Sequence, residues 1–448
     1  MAVGLNKAEL VGEDSVRASR LTRSVDLPAS TATVSLSYPG KLPESDILTP
    51  VQTRFSRVTK FTTEHTDALR ANGFIWGDNW LGMHSLLKSH QKKVQLIYLD
   101  PPYATGMDFS SRSQEHAYND SLGQASYIES MRRRFILMRE LLADDGSIYI
   151  HIGHQMVAEL KLILDEVFGP QNFRNIISRR KCSSKNSTRN QFANLNDYVL
   201  FYTKSSNYIW NQPKKSPSAE WVAKEYPKVD SKGQYKLVPV HAPGIRNGAT
   251  GEAWRGMLPP PGKHWQYTPS KLDELDRAGE IYWSKTGNPR RKVYLVENKG
   301  LALTDYWDEY RDAHHQSILI TGYPTEKNFD MMKMIVSASS LEGGLVIDPF
   351  TGSGSTIHAA DVLNRQWIGM DESFLSTKTV ISRLQHGRQP MGDFVGRENP
   401  PDLFTEIDAQ TPLIASHESG VGDFELFVDA QIAEEHADEV TQLQQLLR

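Results

Sequence analysis

The run Val94-Gln95-Leu96-Ile97-Tyr98-Leu99 is short, rich in β-formers and apolar on both faces, which suits a strand covered by helices on either side of a parallel sheet. The segments around it repeat that grammar. Phe74-Ile75-Trp76 reads as a strand ending at Gly77-Asp78, with a helix over residues 80–88. A helix is predicted over 126–142, stopped by Asp144-Asp145-Gly146, and a strand over 147–152. Apolar residues at 157, 160, 163, 164, 167 and 168 give the next helix one buried stripe, and Gly169-Pro170 ends it. Strand and helix alternating through short links predict a doubly wound, mostly parallel α/β sheet.

The alternation lapses near Arg179 and resumes near residue 328, with helices over 328–340 and 355–363 and strands over 345–347 and 366–370. Five units are expected: an N-terminal arm (1–70), a first half of the sheet domain (71–178), an insert (179–322), a second half (323–391) and an acidic tail (392–448), helical from 423. The insert carries Trp210, Trp221, Trp254, Trp265 and Trp283. Net charge is −4, but residues 174–300 hold 23 Lys+Arg against 10 Asp+Glu, while 392–448 hold 2 against 13. Phosphates respond to the field within a Debye length of about 10 Å, so the basic insert is the expected nucleic-acid face. Arg179-Arg180-Lys181 and Arg290-Arg291-Lys292 are its candidate phosphate clusters.

Leu345-Val346-Ile347 leads into Asp348-Pro349-Phe350-Thr351-Gly352-Ser353-Gly354-Ser355-Thr356 and then a helix. A strand, a glycine turn and a helix start place bare backbone at the carboxyl edge of a sheet, where nucleotide-like ligands bind. Asp371 ends the following strand, where a carboxylate can accept from both hydroxyls of a ribose. A dinucleotide fingerprint would need its third glycine at 357, which is Ile, and no Gly-Lys-Ser/Thr phosphate loop is present. A glycine turn without a ligand is the plainer alternative.

The strand 94–99 runs directly into Asp100-Pro101-Pro102-Tyr103. Two prolines fix φ and donate no N–H, so the corner is rigid and its carbonyls are available as acceptors. A carboxylate beside a carbonyl gives two acceptors, which matches the two donors of an NH₂ group. Tyr103 offers a face on which a base can stack, worth roughly 1–3 kcal/mol. The bland reading is a capped strand end with a core tyrosine.

Together these motifs resemble the amino-group DNA methyltransferases in which the catalytic tetrapeptide precedes the cofactor loop, notably the modification subunits of type III restriction systems and their solitary relatives. The resemblance runs from about Gly77 to Asp371. It includes residues 96–103, Thr105-Gly106, Asp108-Phe109, residues 162–169, Asn172-Phe173, residues 196–202, residues 303–307 and Tyr323-Pro324-Thr325-Glu326-Lys327. It implies a circularly permuted seven-stranded class I methyltransferase sheet with an inserted target-recognition domain, and S-adenosyl-L-methionine as cofactor. Asp100, Pro101, Pro102 and Tyr103 would be catalytic. Asp348, Phe350, Gly352 and Gly354 would hold the methionine end of the cofactor, Asp371 its ribose and Asp78 its adenine, with Thr325 and Lys327 in a segment closing over it. Family members more often carry His-Pro-Thr-Gln-Lys-Pro there, so Tyr323, Glu326 and Asn328 are departures. Asp100, where cytosine-N4 enzymes more often have Ser, favours adenine N6 as the target. Cytosine N4 is the second reading, and a non-catalytic DNA-binding partner of the same fold the third.

The implied partner is double-stranded DNA, with a second copy of the chain or a restriction or helicase-bearing subunit as further candidates. A lone cysteine, Cys182, excludes an intramolecular disulfide and a cysteine-built zinc site. His151, His154, His314 and His315 lack acidic or cysteine partners at metal-ligand spacing, so no metal is expected. No run reaches the ~18 apolar residues of a membrane span, and a reducing cytosol is the expected setting.

Overall fold

The computed structural model describes residues 34–61, 72–102, 108–110, 116–119, 123–182, 190, 192–295, 300–312, 319–321, 323, 326–390 and 423–447. In chain order its main elements begin with strand β1 (Phe55–Phe61), strand β2 (Asn72–Trp76), helix α1 (Asn79–His90) and strand β3 (Val94–Leu99). Helix α2 (Gln124–Leu141), β4 (Leu142–Ile152), α3 (Val157–Phe168), β5 (Phe173–Arg180) and β6 (Asn196–Thr203) follow. After the insert come β7 (Tyr306–Trp307), α4 (Phe329–Ser339), β8 (Leu345–Asp348), α5 (Ser355–Val362), β9 (Gln366–Asp371), α6 (Phe374–His386), β10 (Phe424–Asp429) and α7 (Ala437–Leu446).

The strands form one ten-stranded sheet in the order β1-β10-β2-β9-β8-β3-β4-β6-β5-β7. Only β1 and β6 run against the rest. The expected strand 94–99 is buried on both faces. Ile97 and Leu99 pack with Met83, Phe135, Leu137 and Leu160 of α1, α2 and α3. Leu96 and Tyr98 pack on the other side with Met331, Ile335, Ile357 and Val380 of α4, α5 and α6. At about 25 cal/mol per Å² of buried apolar area, two such layers supply the main driving force for folding. The sandwich of helix, sheet and helix is the doubly wound architecture expected.

The inner seven strands, β2 to β5 in the sheet order, make the expected sheet, and three strands extend it. β1 arises within the stretch read as an arm. β10 corrects the expectation of a helix from 423: Phe424, Leu426 and Val428 alternate inward and pair with β2, and helices begin only at Ala430. β6 lies within the expected insert but belongs to the main sheet, so the insertion proper leaves after Thr203 and returns at Tyr306. It escaped the alternation because an antiparallel strand follows β5 with no crossover helix. The insert has its own four-stranded antiparallel sheet and a small core of Val240, Trp254, Trp265, Leu272 and Ile281. Among the described residues no helix is long and apolar enough to cross a membrane, and no group of three metal-ligating side chains occurs.

Candidate active site

β3 and β8 are hydrogen-bonded neighbours running parallel, with Leu96 opposite Val346 and Ile97 opposite Ile347. Their following loops therefore leave from the same edge of the sheet. Asp100 and Pro102 from one loop, and Asp348, Pro349, Phe350, Thr351, Gly352 and Ser353 from the other, line a single cavity of about 220 Å³. Asp371, at the end of β9, lines it as well.

The glycine loop is fixed before any ligand arrives. Thr351 Oγ1 bridges it to β9, accepting from Met370 N at 2.8 Å and donating toward Asp348 O at 2.9 Å. Gly352 takes φ +51, a backbone region costly for other residues, and its N–H donates to Asp371 Oδ2 at 2.8 Å. The other oxygen of Asp371 accepts from Ser373 N at 2.9 Å. Gly354, also at positive φ, is outside the lining; a Cβ there would meet Val380 Cγ2 at 3.1 Å, so its bareness serves packing against α6.

The Pro-Pro corner is anchored from α2, where the Tyr127 hydroxyl donates to Pro102 O at 2.6 Å. Asp100 is ion-paired with Lys327, both side chains being largely buried. Lys327 follows Glu326, whose carboxylate is itself interred. Its Oε2 accepts from Thr321 N at 2.7 Å and its Oε1 from Arg383 Nη1 at 2.9 Å. Arg383 also reaches Ser355 Oγ at 3.1 Å and Ser353 O at 3.3 Å, and donates to His358 Nδ1 at 3.0 Å. One guanidinium thus ties the segment bearing Lys327 to the glycine loop.

The cavity is acidic on balance, with Asp100, Asp348, Asp371 and Glu372 facing Arg134 and Lys327. Burial pushes the Asp348 carboxyl up to about 7, and the fields of Asp100 and Asp371 add to that rise against a hydrogen bond from Phe350 N–H. Burial likewise lifts Asp371 to about 6, opposed by the N–H donors of Ser373 and Gly352. Carboxylates that raise one another's pKa favour a positively charged occupant and disfavour a polyphosphate. The arrangement suits a cationic ligand with a diol, and it presents a carboxylate to an incoming amine.

Asp100, Pro102, Lys327, Asp348, Phe350, Gly352 and Asp371 of the expected set line this cavity, and buried Pro101 shapes the corner between them. Asp78 borders it. Its Oδ1 caps α1 by accepting from Trp80 N at 2.7 Å, and its Oδ2 lies 3.5 Å from Arg134 Nη2. Tyr103 and Thr325 lie outside the described residues. Sequence reading missed Asn79, Tyr127 and Arg134, and had Tyr323 only as a departure from the family pattern in the closing segment. Arg134 donates to Asn79 Oδ1 at 2.5 Å and to Ser130 Oγ at 2.7 Å, one turn behind it on α2. That pairing at i, i+4 on a helix facing the strand ends was the available signal.

Of the candidate phosphate clusters, Arg179 is a correction. It is fully buried and paired with Asp197 at 3.1 Å and Asp312 at 2.8 Å. In the insert, Lys292 pairs with Asp230 at 2.7 Å and Arg291 with the Tyr267 hydroxyl, whereas Arg290 is exposed.

A family model described as DNA methylase matches residues 94–376. The chain is 59% identical over 454 residues to the type II methyltransferase M.EcaI of Enterobacter cloacae, covering 100% of this chain and 98% of that one. It is 28% identical over 349 residues to the type II methyltransferase M.KpnI of Klebsiella pneumoniae, covering 68% and 82%. Against the StyLTI Mod subunit, from the type III restriction-modification enzyme of Salmonella typhimurium, identity is 27% over 387 residues, covering 76% and 58%.

Proposed function

The chain belongs to the DNA methylase family, and from that premise we propose that it transfers the methyl group of S-adenosylmethionine to N6 of an adenine extruded from duplex DNA. The observation that supports this reading most is the shared cavity. The loop after β3 and the loop after β8 open together, so an amine held at Asp100 and a donor held at the glycine loop can face each other.

The residues fit the cofactor. Asp371, its two oxygens already oriented by backbone N–H groups, is placed to accept from ribose hydroxyls. Bare Gly352 and the Phe350 ring would border the methionine end, Asn79 in the lining and Asp78 next to it the adenine end, and the carboxylates of the lining suit a sulfonium. When bound, the cofactor supplies a methyl group activated by that positive charge. The acceptors we assign to the target amine are the Asp100 carboxylate and the carbonyl of Pro101, while Pro102 O already accepts from Tyr127 and steadies the corner. Accepting both amine hydrogens withdraws the nitrogen lone pair from the ring and aims it. Orientation of this kind can supply about 7–11 kcal/mol of the barrier. Lys327 holds the Asp100 carboxylate in place while the base enters. Extruding the base costs a few kcal/mol of unstacking, which contacts from the basic insert would offset.

The raised carboxyl groups give the binding step a pH signature. A group whose folded pKa lies above its unfolded value contributes stability at low pH that fades as pH climbs toward the folded value. The ligand-free protein should therefore lose stability between about pH 4 and 7, from the values near 7 and 6 for Asp348 and Asp371. Hydroxyl donors and a cation favour the ionised carboxylates, so cofactor binding should release protons. Affinity should tighten by about tenfold from pH 5.5 to 7.5. Calorimetry in buffers of differing ionisation enthalpy measures this directly; proton uptake on binding would contradict it.

Adenine is preferred over cytosine because Asp stands at position 100. A second copy of the chain or a restriction subunit is a further partner we propose, resting on the restriction-modification names of the relatives and on exposed Glu434, Glu435 and Asp438 around α7. Incubating the purified protein with labelled cofactor and plasmid DNA, then sequencing for modified bases, tests the reading. N6-methyladenine at one recurrent site supports it, N4-methylcytosine replaces the target, and the absence of label in DNA defeats it.

A further inference from the structure

The sheet alone does not align the two halves of the cavity. The ladder between β3 and β8 ends with Ile97 opposite Ile347, so it does not join the corner after one strand to the glycine loop after the other. Helix α2 reaches both. Near its start the Tyr127 hydroxyl donates to Pro102 O at 2.6 Å. Two turns on, Arg134 Nε donates to Asn79 Oδ1 at 2.5 Å, and Asn79 Nδ2 donates to Pro349 O at 2.7 Å. One helix thus touches the Asp100 corner directly and the glycine loop through a single amide. All five of these residues line the cavity.

Chemistry fixes the direction of every bond in this set. The carbonyl oxygens of Pro102 and Pro349 only accept, and a guanidinium only donates. The Asn79 amide must therefore turn its oxygen to Arg134 and its NH₂ to Pro349. The helix itself is a stiff reference. Seven residues separate Tyr127 from Arg134, about 10 Å along the axis and nearly two full turns, so their side chains share a face. Ile128, Phe135, Met138 and Leu141 of α2 are buried in one core cluster with Ile97 and Ile148 of the sheet, and close packing there opposes sliding or rotation. Arg134 is steadied by its own helix, donating from Nη1 to Ser130 Oγ at 2.7 Å.

We propose that Tyr127 and Arg134 are positioning residues for methyl transfer: from one face of α2 they fix the corner that holds the amine and, through Asn79, the loop that holds the donor. In-line transfer needs nitrogen, methyl carbon and sulfur near one line, and a misplacement of about 1 Å can cost about a hundredfold in rate. Neither side chain takes part in bond making. The inference rests on the methyl-transfer reading, but half of its test does not.

With cofactor and DNA saturating, Tyr127→Phe, which keeps the ring in the core, and Arg134→Met are each expected to lower kcat about thirtyfold. The cofactor Kd of Tyr127→Phe should stay within about threefold of the parent, so that the loss falls on kcat. The double variant Tyr127→Phe/Arg134→Met should lose no more than about threefold beyond the worse single, because alignment is one variable that either release already spoils. Asn79→Ala should match Arg134→Met and add nothing to it, and it takes the place of Arg134→Met if that variant fails to fold. Additive losses, or single variants within about threefold of the parent kcat, overturn the proposal. Independently of activity, amide exchange reads the loop itself. The N–H groups of Phe350, Thr351 and Gly352 are tied to Asp348 Oδ1, Met370 O and Asp371 Oδ2. They should exchange about tenfold faster in Arg134→Met and Asn79→Ala, with residues 94–99 as in the parent and the loop unchanged in Tyr127→Phe. A glycine loop that does not respond, or loosening of the whole core, refutes the idea even if every rate agrees. A parent protein that transfers no methyl group to DNA would strike the functional reading instead.

Discussion

Replacing Asp100 with asparagine should leave a folded protein that binds cofactor and transfers methyl groups about a thousandfold more slowly, the scale of removing one preorganised polar group from an active site. Asn keeps the shape of the side chain and one acceptor but not the negative charge, so it stabilises the nitrogen far less as that atom becomes cationic during alkylation. The loss should fall on kcat, since the base can still stack and the cofactor is held by other residues. Asp100→Ala should be equally inactive and also less stable, because the mostly buried Lys327 ammonium loses its counter-charge. Lys327→Met in the Asp100→Ala background should restore stability without restoring activity. Single-turnover rates and urea unfolding on the same samples separate the two effects. An Asp100→Asn variant within tenfold of the parent kcat would sink the assignment.

The second large effect is expected from Glu326→Ala. Arg383 and Glu326 form an ion pair with side chains 0% and 1% exposed, and removing one partner strands the other charge in the core. Such losses cost about 3–5 kcal/mol. Arg383 also holds Ser353 O and Ser355 Oγ, so the glycine loop should loosen and cofactor affinity fall along with the unfolding midpoint. Glu326→Gln, which keeps the acceptor but not the charge, should show a smaller loss of both. A Glu326→Ala protein within about 1 kcal/mol of the parent stability would mean that water or another carboxylate has replaced the pair.

What the sequence discloses and what it hides divide along physical lines. Strand 94–99 is legible because burial on both faces leaves Gln95 as its one plainly polar position, and the glycine loop because positive φ at Gly352 and Gly354 demands the residue itself. β10 was misread because Phe424-Glu425-Leu426-Phe427-Val428 is only half buried and its parallel partner β2 lies some 350 residues away, beyond any local window. Arg179, Asp197, Glu326 and Arg383 were hidden for another reason. A lone charge in a sequence is read as a surface group, since charged residues are seldom buried unless paired, and the pairing is visible only in three dimensions. The catalytic carboxylate and its loop could thus be named from the chain alone, whereas the ion pairs that steady them could not.

The place of β10 between β1 and β2 has a consequence for how the molecule comes into being. On the ribosome, residues 55–76 emerge early, yet β1 finds its neighbour only when translation passes residue 429, and β2, which pairs with β9 on its other side, keeps one edge open until then. Until then β2 presents an unpaired edge on a strand whose residues are all buried in the finished fold, the kind of template on which nascent chains adhere to one another. Closing that edge joins contacts of great sequence separation, which slows maturation.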